Sequence, residues 1–255
     1  MRATLDETAW ASPWRSRSVA ERSSLALSLA LWGLLAGSWW SGLGVLAVVV
    51  GVALGAARVP PRLYARSVAA PWAFIGMGGL AIAVGLGEAS NPLARLGPFY
   101  VTAESLSSAA TVLARAFAVT AAALLLAATC PMSELLSGLR RIGVPGVLVD
   151  IAASTYRMIF LLWSRASAIR RAQEARLGYA SWSRALTSVG QLLAAVFLSA
   201  WDRARRLESG LEGRGGTGEL VAIGPSTAVS ARFVWGIAAA NVLAAAVVLV
   251  GWWGR

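Results

Sequence analysis

Several long apolar stretches lie on either side of one arginine-rich segment and make up most of this chain. A helix needs about 20 apolar residues to cross the hydrocarbon core of a bilayer, and these stretches are of that order. Hydrophobic residues account for 57% of the 255-residue sequence and charged residues for only 14%, which is too apolar for an ordinary water-soluble domain. The sequence therefore predicts an all-α integral membrane protein.

About five membrane-spanning helices are predicted. Apolar residues run from Ser24 to Ala57, which is too long for one straight span of about 20 residues and short for two. Small residues and Trp39-Trp40 interrupt this stretch, so we predict two short helices joined by an outer turn. One long tilted helix is the alternative. The predicted spans are 24–38, 42–57, 69–87, 104–129 and 233–250.

The distribution of arginine predicts the topology. All 23 basic residues are arginine, and many of them lie at 58–66 or in the segment 131–219. The positive-inside rule places both segments and the N-terminus in the cytoplasm, and the loop 88–103 outside. Four regions follow: a cytoplasmic N-terminal lead-in (1–23), a transmembrane bundle of about four spans (24–130), a polar insert (131–219), and a linker with the final span (220–255).

The polar insert predicts two long amphipathic helices on the cytoplasmic side. A short helix opens at Pro131 and ends at Gly143. Apolar residues then recur at helical spacing over 146–177 and, after a break at Gly178, from Ser181 to about Leu211. These two stretches are predicted to lie at or below the inner face of the membrane.

A sixth span is the alternative for the second long helix. No charged residue lies between Arg184 and Asp202. Polar residues within that interval, including Ser188 and Gln191, favour a helix at the membrane surface instead. Most arginines of the insert are expected to contact solvent or anionic lipid. They include Arg140, Arg141, Arg170, Arg171, Arg205 and Arg206.

Two arginines differ from the others because each ends a long predicted helix beside a glycine, which commonly terminates helices. Arg176 lies in Ala175-Arg176-Leu177-Gly178, and Arg214 lies in Gly213-Arg214-Gly215. A guanidinium group makes forked bonds to carboxylates and carbonyls, which suits docking into a groove of another protein. Because the pattern occurs twice, we predict a partner with two equivalent grooves, such as a pair of ATPase subunits. The candidate docking residues are Ala175, Arg176, Gly178, Gly213, Arg214 and Gly215.

Arg115 is the only charged residue inside the predicted span 104–129 apart from Glu104 at its start. A charge at the centre of a span costs about 2.5 kcal/mol or more. Arg115 is therefore expected to face the protein interior or a polar cavity and to pair with a backbone carbonyl or an acid. A contact with a partner protein in the membrane is the second interpretation of this candidate polar site.

Five short motifs follow one another along the insert. They are Pro131-x-x-Glu134-Leu135, Leu139-Arg140-Arg141-Ile142-Gly143-Val144-Pro145, Thr155-Tyr156-Arg157, Arg171-Ala172-Gln173-x-x-Arg176-Leu177-Gly178-Tyr179 and Gly213-Arg214-Gly215. This ordered set resembles the transmembrane (T) component of energy-coupling factor transporters, and is closest to the cobalt-type branch. The sequence departs from the family's Ala-Arg-Gly pattern where Leu177 precedes the glycine and where Gly213 replaces alanine.

The resemblance implies a membrane coupling subunit of an ATP-driven importer of cobalt, nickel or a vitamin. Its two coupling helices would seat Arg176 and Arg214 in grooves of two ATP-binding subunits, and the bundle would hold a separate substrate-capture (S) component. It further implies a multi-pass location in the inner or plasma membrane of a bacterium or archaeon. ATP and Mg²⁺ would be bound by the partner chains, and no cofactor is expected on this one.

The missing residue types argue against other functions. A P-loop requires lysine, and the chain has none. With no histidine, one cysteine and no paired carboxylates in the predicted spans, neither a catalytic set nor a metal site can be assembled. We therefore predict a non-enzyme, with an intramembrane enzyme as one alternative. The permease of another ABC-type importer is a second alternative, because the cytoplasmic loop of such permeases carries the motif Glu-Ala-Ala-x-x-x-Gly and Glu174-Ala175 matches its first two residues. Nucleic acid is not an expected partner, because the aromatic residues lie on the apolar side of the helices.

Overall fold

The computed structural model of the chain describes residues 5–86, 93–96, 99–213 and 231–253. Its helices are α1 (Leu5–Ala11), α2 (Val19–Leu35), α3 (Trp39–Gly51), α4 (Pro61–Ala83), α5 (Ala103–Thr129), α6 (Met132–Arg141), α7 (Gly146–Ala175), α8 (Trp182–Glu212) and α9 (Ala231–Trp253). A 3-10 turn follows α1 at Pro13–Ser16, and a π-helical turn continues α3 over Val52–Ala56. The strands β1 (Gly85–Leu86), β2 (Ala94–Leu96) and β3 (Phe99–Val101) are short. Helices thus form nearly all of the regular structure, and the predicted all-α integral membrane fold is confirmed.

The chain forms two compact units. The first comprises Met1–Leu135 together with Pro225–Arg255, and the second comprises Leu136–Gly224. The boundary at Leu135 falls inside α6, so this helix begins in the first unit and ends in the second.

Six helices among the described residues are long and apolar enough to cross a membrane, rather than the five predicted. They are Trp39–Ala56, Pro61–Ala83, Ala103–Thr129, Gly146–Ala175, Trp182–Glu212 and Phe233–Trp253. The difference has two sources. The helix α2 has only 17 residues, which is short for a span, whereas both long helices of the insert qualify by length and composition.

The first apolar stretch forms two helices, as predicted, and not one long tilted helix. Ser38 starts α3 with a capping box, in which the hydroxyl of Ser38 accepts from the amide of Ser41 and the backbone amide of Ser38 donates to the Ser41 hydroxyl. The rings of Trp39 and Trp40 stack with centroids 3.6 Å apart immediately after this cap. The turn between α2 and α3 therefore carries the aromatic pair that the sequence placed there.

The first unit is built around α5, which packs against α2, α3 and α4. One face of α5 is lined by buried small residues, which allow close backbone approach in membrane proteins. They are Ala109, Ala114, Ala118, Ala121, Ala122 and Ala128. At Gly42 of α3, an added Cβ atom would lie 2.7 Å from the Cβ of Ala114, so only glycine fits at this crossing.

Two boundaries differ from the prediction. The helix α4 begins at Pro61, not near Ala69, because Pro60 and Pro61 form its N-cap and first residue, where proline is well tolerated. The predicted outer loop 88–103 overlaps a three-stranded antiparallel sheet of order β1-β3-β2. These strands have at most three residues each, so their sequence shows no usable alternation.

The predicted lead-in 1–23 contains a buried charge, Arg22, of which 2% is exposed. Its Nη1 donates to the carbonyl oxygen of Thr129 at 2.6 Å, and its Nη2 donates to the carbonyl of Arg17 at 3.1 Å. The same Nη2 forms an ion pair with the carboxylate of Glu134 in the first turn of α6. The start of α2 is therefore tied to the end of α5 and to the beginning of α6.

Cys130 lies between α5 and α6, beside this ion pair, and is buried. Burial raises the pKa of its thiol to about 11, with the Arg22 charge acting against the rise and the Glu134 charge adding to it. The thiol is therefore protonated at neutral pH and is a poor nucleophile and a poor metal ligand.

Candidate functional site

The structure describes four of the six candidate docking residues: Ala175, Arg176, Gly178 and Gly213. Arg214 and Gly215 lie outside the described residues. Ala175 is the last residue of α7, and Arg176 and Gly213 are the C-cap residues of α7 and α8. The predicted placement of Arg176 at a helix end is thus observed.

A Schellman turn ends α7. The amide of Gly178 donates to the carbonyl of Gln173 at 2.8 Å, and the amide of Leu177 donates to the carbonyl of Glu174 at 3.0 Å. The residue in the left-handed conformation is Leu177, with φ 58°, and not the neighbouring Gly178. At the end of α6, in contrast, the same pair of bonds forms around Gly143, with φ 94°. Glycine usually fills this position because a side chain there costs about 1 kcal/mol.

Gly178 is required by close approach and not by its backbone angle. An added Cβ atom would lie 2.7 Å from the hydroxyl oxygen of Ser188 and 2.9 Å from the carbonyl oxygen of Gln173. The second of these is a backbone atom and cannot move aside without opening the turn.

Side chains on both sides of the turn lock it in place. Nε2 of Gln173 donates to the carbonyl of Ser188 at 2.9 Å, and the hydroxyl of Tyr179 donates to Oε1 of Gln173 at 2.9 Å. The Ser188 hydroxyl donates to the carbonyl of Gly178 at 2.9 Å, and only 7% of Ser188 is exposed. The turn is therefore cross-linked to α8. The sequence did not reveal these contacts. Gln173 and Tyr179 were noted only as members of a motif, and Ser188 only as a polar residue within an apolar stretch.

This fixed turn presents Arg176 to the surroundings. Arg176 is exposed, and among the described residues its side chain makes no ion pair. The nearby carboxylate of Glu174 is bound by Arg170 at 2.9 Å, and the guanidinium of Arg170 also lies 5.7 Å from the ring of Tyr179. A nearby acid is thus occupied, and the guanidinium of Arg176 remains available to a carboxylate or carbonyl of another chain.

We expect Gly178→Ala to loosen this turn. The added methyl group collides with the Gln173 carbonyl, so the hydrogen bond from the Gly178 amide must lengthen. Hydrogen exchange at the amide of residue 178 should accelerate by about fivefold, which corresponds to the loss of one hydrogen bond worth about 1 kcal/mol.

Leu177→Gly is the matched control one residue earlier. It removes the left-handed leucine, so exchange at the Gly178 amide should stay the same or become slower by a few fold. Equal acceleration in both variants would show that the crowding at Gly178 does not hold the turn.

The end of α8 has a different geometry. The amide of Gly213 donates to the carbonyl of Ser209 at 3.0 Å, and Gly213 has right-handed angles of φ −65° and ψ −14°. An added Cβ atom would meet only the Ser209 carbonyl, at 3.3 Å. Residues with a side chain adopt these angles readily, so the backbone at position 213 does not require glycine.

Arg115 has a backbone partner of the kind expected from the sequence. Its Nε donates to the carbonyl of Ala36 at 2.6 Å, in the turn between α2 and α3. Trp252 of α9 packs against Gly37 in the same turn, where an added Cβ atom would lie 2.6 Å from the indole nitrogen. Tryptophan is enriched at membrane–water interfaces, so this turn is better placed near an interface than at the bilayer centre.

Arg140 is not solvated in the way the sequence suggested. Its Nη2 pairs with Oδ1 of Asp150 at 2.8 Å, and 32% of the Arg140 side chain and 12% of the Asp150 side chain are exposed. Arg140 can reach Asp150 because the chain reverses at Gly143, which brings the start of α7 back to the end of α6.

Comparisons with known proteins identify the family of this chain. The family model "CbiQ: Cobalt transport protein" matches residues 11–223. "Cobalt transport protein CbiQ" of Rhodobacter capsulatus is 36% identical over 228 residues, covering 89% of this chain and 90% of that protein. A "Putative fused cobalt transport protein CbiMQ" of Methanocorpusculum labreanum is 32% identical over 82% of this chain, which spans 36% of the fused protein. The chain therefore belongs to the CbiQ family of cobalt transport proteins, and it is a multi-pass membrane protein of that family.

Proposed function

We propose that this chain is the non-catalytic membrane coupling subunit of an ATP-driven cobalt or nickel importer of the energy-coupling factor type. The observation that supports the proposal is the turn at the end of α7, which side-chain hydrogen bonds fix to α8 and which leaves Arg176 exposed. This helix lies within the residues that the CbiQ family model matches. A rigid turn transmits displacement, whereas a mobile one would absorb it.

The partners in this proposal are two ATP-binding subunits and a substrate-capture S component. Arg176 enters a groove of one ATP-binding subunit, and Arg214 enters the equivalent groove of the other. When ATP and Mg²⁺ draw the two subunits together, the tips move with them and displace α7 and α8. The first unit scaffolds the S component within the bilayer, and Arg115 contributes to that contact or to the packing of the α2–α3 turn.

The relatives support the choice of substrate and of assembly. Both relatives described above are named as cobalt transport proteins. The one from Methanocorpusculum labreanum is a fusion, in which the segment similar to this chain makes up about a third of the protein. A fusion of this kind fits a subunit that works beside another transport component. We place the protein in the cell membrane of a bacterium or archaeon, with the N-terminus and the insert in the cytoplasm, because the arginines of 58–66 and 131–219 follow the positive-inside rule.

The isolated chain is expected to neither hydrolyse ATP nor bind Co²⁺ or Ni²⁺ tightly. It has no lysine for a P-loop and no histidine, and its one thiol is buried and protonated. ATP hydrolysis and ATP-dependent uptake should appear only when the ATP-binding subunits and the S component are co-expressed and co-purify with it.

Calorimetric titration of the purified chain with Co²⁺, together with a phosphate-release assay, tests this expectation. The co-purified complex, assayed in the same buffer, is the positive control. One tight metal equivalent, or hydrolysis by the chain alone, would contradict the proposed division of labour.

A further inference from the structure

An ion pair lies at each end of the ten-residue helix α6. Glu134, in its first turn, pairs with Arg22 of α2, and Arg140, in its last turn, pairs with Asp150 of α7. The first pair lies within the first compact unit, and the second lies within the second unit. Since the chain passes between the units within α6, this helix is a covalent link that is fastened on both sides.

The pair at the start of α6 is unusually buried. Only 1% of the Arg22 side chain and 10% of the Glu134 side chain are exposed. The amide of Glu134 donates to the carbonyl of Pro131 at 3.0 Å, so the carboxylate stands on the first helical turn after the proline. Arg22 also bonds the carbonyl of Thr129, the last residue of α5, and so holds both sides of the α5–α6 junction.

Burial of an ion pair is weak support for a role in stability. Replacing both partners by apolar residues of similar volume often leaves stability unchanged or improves it. A buried pair does, however, fix the relative orientation of the helices that carry it, because the planar guanidinium can bond its carboxylate and two carbonyls in only one arrangement. The pair therefore restricts the direction in which α6 leaves the bundle.

The pair at the end of α6 has the same effect on α7. Arg140 reaches Asp150 and also approaches the carbonyl of Gly146, the first residue of α7, at 3.5 Å. The Schellman turn at Gly143 sets the reversal, and the ion pair closes it from the other side. The start of the first long coupling helix is thus held to α6 by side chains as well as by the chain.

We propose that α6 is the rigid link through which displacement of α7 reaches the transmembrane bundle, and that Arg22, Glu134, Arg140 and Asp150 are the positioning residues that make it rigid. This inference rests on the proposed function. It adds a route for the displacement that neither the docking arginines nor the family match assigns. If the ion pair at either end of α6 is removed, the ATP-binding subunits still dock and hydrolyse ATP, but their motion is transmitted less completely to the bundle.

Two double variants test the proposal without leaving a buried charge alone. They are Arg22→Met with Glu134→Leu, and Arg140→Met with Asp150→Leu. The matched control is Arg62→Met, which makes the same arginine change at an exposed position in the first turn of α4. Each is reconstituted in liposomes with the ATP-binding subunits and the S component, and Co²⁺ uptake and ATP hydrolysis are measured on the same sample.

We expect each double variant to assemble, to hydrolyse ATP within about twofold of the wild-type rate, and to import at least tenfold less Co²⁺ per ATP hydrolysed. The control should keep the wild-type ratio. Protection of Cys130 from maleimide checks that the α5–α6 junction is folded, because this buried thiol is the only one in the chain.

Two results would overturn the proposal. A wild-type ratio of uptake to hydrolysis in both double variants would mean that coupling does not require the ion pairs at the two ends of α6. Failure of both variants to assemble would mean that the pairs only hold the fold. A wild-type complex without ATP-dependent uptake would instead refute the proposed function, so the two failures are distinguishable.

Discussion

The double variant Arg176→Ala with Arg214→Ala is expected to lower ATP-driven uptake by at least about 100-fold while leaving the protein in the membrane. An arginine at the centre of an interface typically contributes about 2 kcal/mol or more, so the loss of each tip should weaken docking by about 30-fold or more. Arg176 makes no ion pair among the described residues, so its removal deprives no carboxylate in that part of the chain of a partner. Expression and folding should therefore be unaffected.

The matched control is Arg184→Ala with Arg203→Ala. It removes the same charge from two exposed positions on α8, one in its first turn and one in its interior, that do not lie at the C-terminal end of a long helix. Lysine at both tips should restore little uptake, because an ammonium group cannot form the forked bonds of a guanidinium. Uptake by the double alanine variant at the control level would exclude docking through these tips, and full rescue by lysine would show that charge alone suffices.

Local sequence signals predicted the helices well. The bounds of α5, α7 and α8 agree closely with the predicted segments, which rested on apolar stretches, helical periodicity and nearby start and stop residues such as Ser181 before α8. The end of α6 followed from Gly143 in the same way. These signals act within one or two turns, so a single sequence contains them in full.

Features that depend on distant parts of the chain were not predicted. Arg22 looks like one of several charges in a polar lead-in, yet its acceptor atoms belong to Thr129 and Glu134, 107 and 112 residues away. The sheet joins β1 to β3 across the loop that the sequence predicted, with too few residues in each strand to give a pattern. Nothing local to either segment reveals these partners.

The turn at the end of α7 combines a feature that the sequence predicted with features that it did not. The sequence indicated a helix end beside Arg176, and the structure agrees. It could not indicate that Leu177 takes the left-handed position, because glycine one residue later is the stronger local candidate. The reason for Gly178 lies on α8, where the Ser188 hydroxyl leaves no room for a side chain.

Each single variant of the buried ion pair is expected to destabilise the first unit strongly. In Glu134→Leu the guanidinium of Arg22 loses its carboxylate while it remains buried, and in Arg22→Met the carboxylate of Glu134 is left behind instead. Removing one partner of a buried pair costs about 3–5 kcal/mol, because the remaining charge loses its ion-pair partner in a medium of low dielectric constant. We expect lower yields of folded protein and faster maleimide labelling of Cys130 in either single variant.

The double variant Arg22→Met with Glu134→Leu should recover most of that loss, since no charge is then buried. The three variants and the wild type form a thermodynamic cycle in which the double variant is more stable than the sum of the single effects predicts. Thermal unfolding in detergent, followed by labelling of Cys130, measures all four proteins on one scale. Additive effects would contradict a direct pairing of Arg22 with Glu134. Strong recovery would show instead that the unpaired charge, and not the lost contact, is what unfolds the single variants.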